Sequence, residues 1–196
     1  GGGGADLYAA NEVSVTAQPS ATGDDAIAIG DSAVASGVNA VASGAFSIAS
    51  GTSSFAAGGG TASGFASLAI GGVSGGGKAV ASSDTAIALG YQASASNFQA
   101  VAIGRESNSS GDSSLALGRN ASAAGSYSTS IGQAYASGTD SFAAAISTNS
   151  SSYGASGSGS VALMNWAKAS GSNSGAIGFG ANATGSFAHA FGAQSF

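Results

Sequence analysis

Residues 98–125 read FQAVAIGRESNSSG and DSSLALGRNASAAG, two fourteen-residue units joined end to end. In both, positions four and six are large and apolar: Val101 and Ile103, then Leu115 and Leu117. A small residue, Ala102 or Ala116, stands between them. That period-two alternation predicts a short strand with one bulky side. Gly104 and Gly118 follow at position seven, where glycine supplies a corner that other residues resist. The second half of each unit alternates again and closes on Gly111 or Gly125. Each unit is therefore strand, corner, strand, corner. Glycine every seven residues argues against a helix, each a penalty of about 1 kcal/mol in a helix interior.

The same unit runs along most of the chain. Units start at 24, 38 and 52, at 84, 98, 112 and 126, and at 158, 172 and 186. With a unit from Phe65 and a degenerate one from Thr139, about twelve are present. The first corner carries Gly30, Gly44, Gly58, Gly71, Gly90, Gly104, Gly118, Gly132, Gly178 and Gly192. The expected fold is an all-β parallel solenoid, or flattened roll, of ~14-residue coils. Successive coils would pair at ~4.8 Å, giving a rod of roughly 55–60 Å. Residues 1–23 are expected to be a glycine-rich, irregular lead-in, and 24–196 the repeat domain. Irregularities are expected at Lys78–Ser83, taken as an insertion, and at 147–157. The bulky pair of each coil is expected to fill its interior, so Ile103→Asp would bury an unpaired carboxylate. The opposite, small Ala and Ser face is expected to pack against another copy in a cyclic oligomer.

Composition agrees with a repeat and removes other classes. Ala (45), Ser (39) and Gly (34) make up three-fifths of 196 residues, so order must come from stacking rather than from a thick core. Only four residues are Lys or Arg and the net charge is −5, too few cations to track a nucleic-acid backbone. There is no Cys, hence no disulfide frame and no thiolate metal site. No apolar run approaches the ~20 residues of a membrane helix. The start at GGGG without Met leads us to expect a piece of a longer fibre, with no secretion signal, heptad stalk or membrane-barrel segment in this stretch.

The units AIAIGDSAVASG, AVAIGRESNSSG and LALGRNASAAG resemble the head repeats of YadA-type trimeric autotransporter adhesins. Those repeats run S-V-A-I-G, then a small alternating half and a second Gly. The resemblance covers Asp24 to about Gly192. It implies a left-handed parallel β-roll assembled as a parallel homotrimer, and an extracellular role in adhesion to a surface glycan, protein receptor or matrix. The same repeat type occurs in phage tail and other virion fibres, so a bacterial surface and a virion are both open as its setting. A purely structural shaft is the alternative to an adhesive segment.

Residues that break the pattern are candidates for recognition. Trp166 and Lys168 interrupt one unit, Tyr153 lies in the irregular patch, and Lys78 lies in the insertion. Trp is a stacking platform for sugars or an anchor for a protein, and equally a local filler of space. Tyr91, Phe98, Tyr127, Tyr135, Phe179 and Phe187 fall around corners and outer halves, where they form a ligand ladder or cover core ends and subunit seams. His189 replaces the usual apolar residue of position four and is expected to be an interior, hydrogen-bonded histidine. Asp24, Asp25, Asp84, Asp112 and Asp140 cluster at unit starts. They lack the calcium-roll pattern and fit solvated turns. No nucleophile–base set, phosphate loop or cofactor motif is present: VSGGGK at 73–78 lacks the spacing and the final Ser or Thr of a phosphate loop. Nine Thr residues keep no common unit position, against an ice-binding face.

Overall fold

The computed structural model describes residues 18–72, 76–145 and 152–196. Among these there is no helix, and the strands form two parallel sheets of twelve strands each. Strands of one sheet come from positions four to six, such as Ile87–Leu89, Val101–Ile103 and Leu115–Leu117. Those of the other come from the second half of each coil, such as Ser94–Ala95, Asn108–Ser109 and Ser122–Ala123. We call them the long-strand and short-strand sheets. Ile87 pairs with Val101 and Val101 with Leu115, so the sequence period is the ladder register. The chain is a parallel β-solenoid of about twelve turns. Its two-sheet ladder begins at Ser20–Ala21, which pairs with Val34–Ala35. Most of the lead-in, residues 1–17, lies outside the described residues.

Both corners are built to hand hydrogen bonds to the preceding coil. The position-seven glycines all have positive φ, from 60° at Gly58 to 135° at Gly178. A second feature was not legible as glycine. The second residue of most coils is also left-handed and is seldom glycine: Gln99 (φ 54°), Ser113 (53°), Tyr127 (57°) and Phe187 (59°). So is the ninth, including Phe46 (60°), Glu106 (58°) and Trp166 (62°). Such a conformation costs an L-residue roughly 1–2 kcal/mol. Here it turns the N–H along the rod axis. Tyr127 N–H donates to the Asp112 carbonyl at 2.7 Å, and Glu106 N–H to that of Tyr91 at 2.8 Å. Corner backbone groups thereby join the ladder between coils.

The interior is the reverse of the sequence expectation. Ala42, Ala56, Ala69, Ala88, Ala102 and Ala116, at position five, are fully buried, as are Ala35, Ala49, Ala81 and Ala95 of the short strands. Positions four and six point outward, and Ile27, Ile70, Leu117 and Ile131 are 38–46% exposed. Alternation shows that these residues share a side but not which side faces in. Coil thickness decides it: the short corners hold the sheets close, and methyl and hydroxymethyl groups from both fill the space. Ile103 is therefore not an interior residue, and the small-residue face is the core rather than the contact with another copy. Buried serines at 107, 109, 114, 128 and 130 separate two long alanine clusters. There the Ser109 and Ser114 hydroxyls are 2.6 Å apart and Ser114 donates to the Gly111 carbonyl at 2.7 Å.

Two coils are longer than the rest. Leu68 pairs with Ile87 and Phe142 with Val161, each a step of 19 residues. The first of these corrects the placement of the insertion. Val80–Ala81, inside Lys78–Ser83, is a regular strand that pairs with Thr61–Ala62 and Ser94–Ala95. The extra residues instead fall in the first corner, between Leu68–Ile70 and Val80–Ala81. In the second long coil, Gly154–Ala155 is likewise a ladder strand. Positions 147–151 of that irregular patch lie outside the described residues.

Candidate ligand groove

The last third of the rod carries a groove of about 600 Å³ on its short-strand side. The fourteen-residue register explains it. Gly154, Lys168 and Asn182 stand side by side on three successive short strands, at the outward-facing position. Gly154 has no side chain there, so a gap opens beside Lys168. Nothing else fits: a Cβ on Gly154 would run into the Tyr135 carbonyl oxygen. At the adjoining corner Trp166, Gly180 and Gln194 are related by the same period, and Gly180 leaves a second gap between the two larger residues.

The walls are mixed in chemistry. Trp166 lies against Phe179, ring centroids 4.7 Å apart and planes at 51°. Trp166 is 47% exposed and Tyr153 40%, so both present open ring surface. Lys168, Asn182 and Gln194 add an ammonium and two carboxamides to the lining. The Asn182 carboxamide oxygen is buried and accepts no hydrogen bond. An aromatic wall beside amide and ammonium groups suits a ligand with both an apolar face and a rim of hydroxyl or acidic groups.

Three of the four residues singled out from sequence, Tyr153, Trp166 and Lys168, line this groove. Lys78 does not. It sits at a first corner six strands away along the short-strand ladder, just after Gly77, which packs under the Tyr91 ring. Asn182 and Gln194 were not singled out, although adding fourteen to Lys168, and twice fourteen to Trp166, finds both. His189 also departs from expectation. It is exposed, because position four faces out, and its ring stacks over that of Phe191 at 6.1 Å. The aromatic residues Tyr91, Phe98, Tyr127, Phe179 and Phe187 are exposed as well, and Tyr135 is half-buried. Among the described residues no group of three or more His, Cys, Asp or Glu is placed to hold a metal ion.

The family model of the YadA head domain repeat matches the chain at residues 21–47, 35–61, 76–93, 81–107, 95–121 and 109–134. Together these cover a little more than half of its length. Comparison with curated proteins finds no match. The coils continue in register through His189–Phe191, well past the last matched residue, and the groove lies wholly in that continuation.

Proposed function

The chain belongs to the family of YadA head domain repeats, and from that premise we propose that it is a segment of a non-enzymatic trimeric fibre that attaches one surface to another. Heads of this family are homotrimeric, extracellular, adhesin-type modules, and their left-handed roll is the hand we assign here. The setting is a bacterial surface or a phage tail fibre.

One observation carries the trimer. The outer face of the long-strand sheet is a continuous apolar band: Ile27, Val41, Phe55, Leu68, Ile87, Val101 and Leu115 in one column, Ile70, Leu89, Ile103, Leu117 and Ile131 in the other. A chain whose own core is already filled by alanine has no internal use for that band. Exposed apolar patches of this extent mark association surfaces. Three copies with these faces turned to a common axis bury them all and leave the short-strand sheets outside. The groove at Trp166 then stays open, and it is where we place the receptor: a glycan or glycan-bearing protein lying on the Trp166 and Phe179 rings.

Light scattering of the purified chain, with circular dichroism on the same sample, tests the assembly. A β-rich particle of three times 18.0 kDa is expected, and a folded monomer overturns it. Trp166→Ala tests the receptor site: binding to cells or immobilised glycans should fall about tenfold while the mass stays that of a trimer. The unbroken twelve-strand ladders favour a second reading, a rigid shaft without its own ligand. Binding that is absent, or indifferent to Trp166→Ala, supports the shaft.

A further inference from the structure

The charges are sorted onto the two edges of the apolar band. Each long strand runs from one corner, positions one to three, to the other, positions seven to nine. At the corner of positions one to three stand Asp24, Asp25, Asp84, Asp112 and Asp140, five of the seven acidic residues in the described part of the chain. All four cations lie on the other side: Lys78, Arg105 and Arg119 at the position-seven glycine corner and Lys168 just beyond it. Glu106 and Asp31 are the exceptions there. Glu106 is neutralised locally, 2.8 Å from Arg105, whose guanidinium also lies over the Tyr91 ring at 5.6 Å. Arg119 is exposed and has no ion pair among the described residues.

An apolar strip with an acidic left edge and a basic right edge matches a copy of itself in only one way. Copies arranged around an axis parallel to the rod bring the right edge of each against the left edge of the next. A pair related by a two-fold axis across the rod would bring acid to acid and base to base. We propose that the two edges form a charged seam between subunits, with Arg119 paired to Asp112 of the partner subunit. Both belong to the coil 112–125, so they stand at the same height when the copies are related by pure rotation. The seam fixes parallel orientation and axial register, which a uniform apolar band cannot do, since sliding it by one coil keeps the same chemistry in contact.

This inference rests on the trimer of the preceding section, and the test separates the two. Arg119→Glu, Asp112→Lys and the double swap are compared by sedimentation over a dilution series. Each single variant should dissociate at about tenfold higher concentration than the parent, because three seams change together. The double swap should recover most of that loss. Circular dichroism controls for coil damage, since Asp112 also accepts a hydrogen bond from the Ser113 hydroxyl at 3.0 Å. Arg119→Gln gives a milder check: raising ionic strength from about 0.05 to about 0.5 M should weaken the parent trimer more than this variant. A trimer indifferent to the single changes, or a double swap no better than they are, overturns the seam and leaves the trimer standing. A parent chain that is monomeric at all concentrations overturns both.

Discussion

At the scale of the residue, the fourteenth position shows how closely the coils stack. Gly111, Gly125, Gly138, Gly157 and Gly171 follow one another up one edge, and their φ angles are not what demands glycine. A Cβ on Gly125 would run into the Gly138 carbonyl oxygen, a backbone atom that cannot turn aside. Gly125→Ala should therefore cost about 3 kcal/mol, as an overpacked core does. In Gly185, the last of the series, the nearest atom to a new Cβ is the Ala188 methyl at 3.7 Å. Gly185→Ala should stay within about 0.5 kcal/mol. Urea midpoints of the two variants check the contrast, and equal midpoints would refute the stacking account. The core serines make a second contrast. The Ser114 hydroxyl is bonded to Gly111 and Ser109, whereas that of Ser160 is buried without a partner. Ser114→Ala should lose about 1–2 kcal/mol and Ser160→Ala should be neutral or stabilising, again read from unfolding midpoints. Glycine spacing made both corners legible in the sequence. The left-handed residues beside those glycines were hidden, because they include Tyr127 and Phe187, whose strain is held by bonds between coils that no single unit contains.

At the scale of the element, period two was readable and polarity was not. Ala102 and Ile103 are neighbours on one strand, and the sequence alone favours the larger side chain for the core. The structure assigns the core to Ala102. Opposite substitutions should then fail in opposite ways. Ala102→Leu places three extra carbons where no space exists and should destabilise the coil by about 1–3 kcal/mol or more. Ile103→Asp puts a carboxylate on the outer band, where a lone chain leaves it in water. That variant should keep its β-sheet circular dichroism and lose assembly, appearing by light scattering as a single chain. An Ile103→Asp chain that unfolds instead, while Ala102→Leu stays native, would restore the bulky-side-in reading. The groove was legible to the same degree. Trp166, Lys168 and Tyr153 stood out as departures from the unit, while Asn182 and Gln194 did not, because amides are ordinary at outward positions. They become visible only when residues are compared across coils rather than along one.

At the scale of the whole molecule, the rod is one-dimensional: each coil touches the coil before and the coil after. Stability should then add coil by coil, and whole coils should be removable. Deleting residues 112–125 joins Gly111 to Ser126, two places that are equivalent in the repeat. Val101 then pairs with Thr129, and Asn108 with Tyr135, as neighbouring coils do elsewhere. The shortened chain should fold with the same β-sheet spectrum per residue and a rod shorter by about 4.8 Å, measured by small-angle scattering. It also loses the pair proposed for the seam, Arg119 and Asp112, so its assembly should weaken without its fold failing. The groove, built from coils beyond 151, should be untouched, and any ligand bound through Trp166 should still bind. Deleting only 112–118 is the decisive control. It removes a long strand and its corner, so every later residue moves to the opposite sheet. Buried places recur at positions three, five, ten and twelve, so a shift of seven keeps small residues inside, with Ala121 and Ala123 in place of Ser114 and Ala116. The outward pair Thr129 and Ile131 instead passes to the short-strand face, and beyond residue 111 the apolar band and the groove exchange sides. That chain should keep its β-sheet spectrum and lose assembly far more than the whole-coil deletion does, read by light scattering. Equal assembly of the two shortened chains would mean that the apolar band is not the contact between copies.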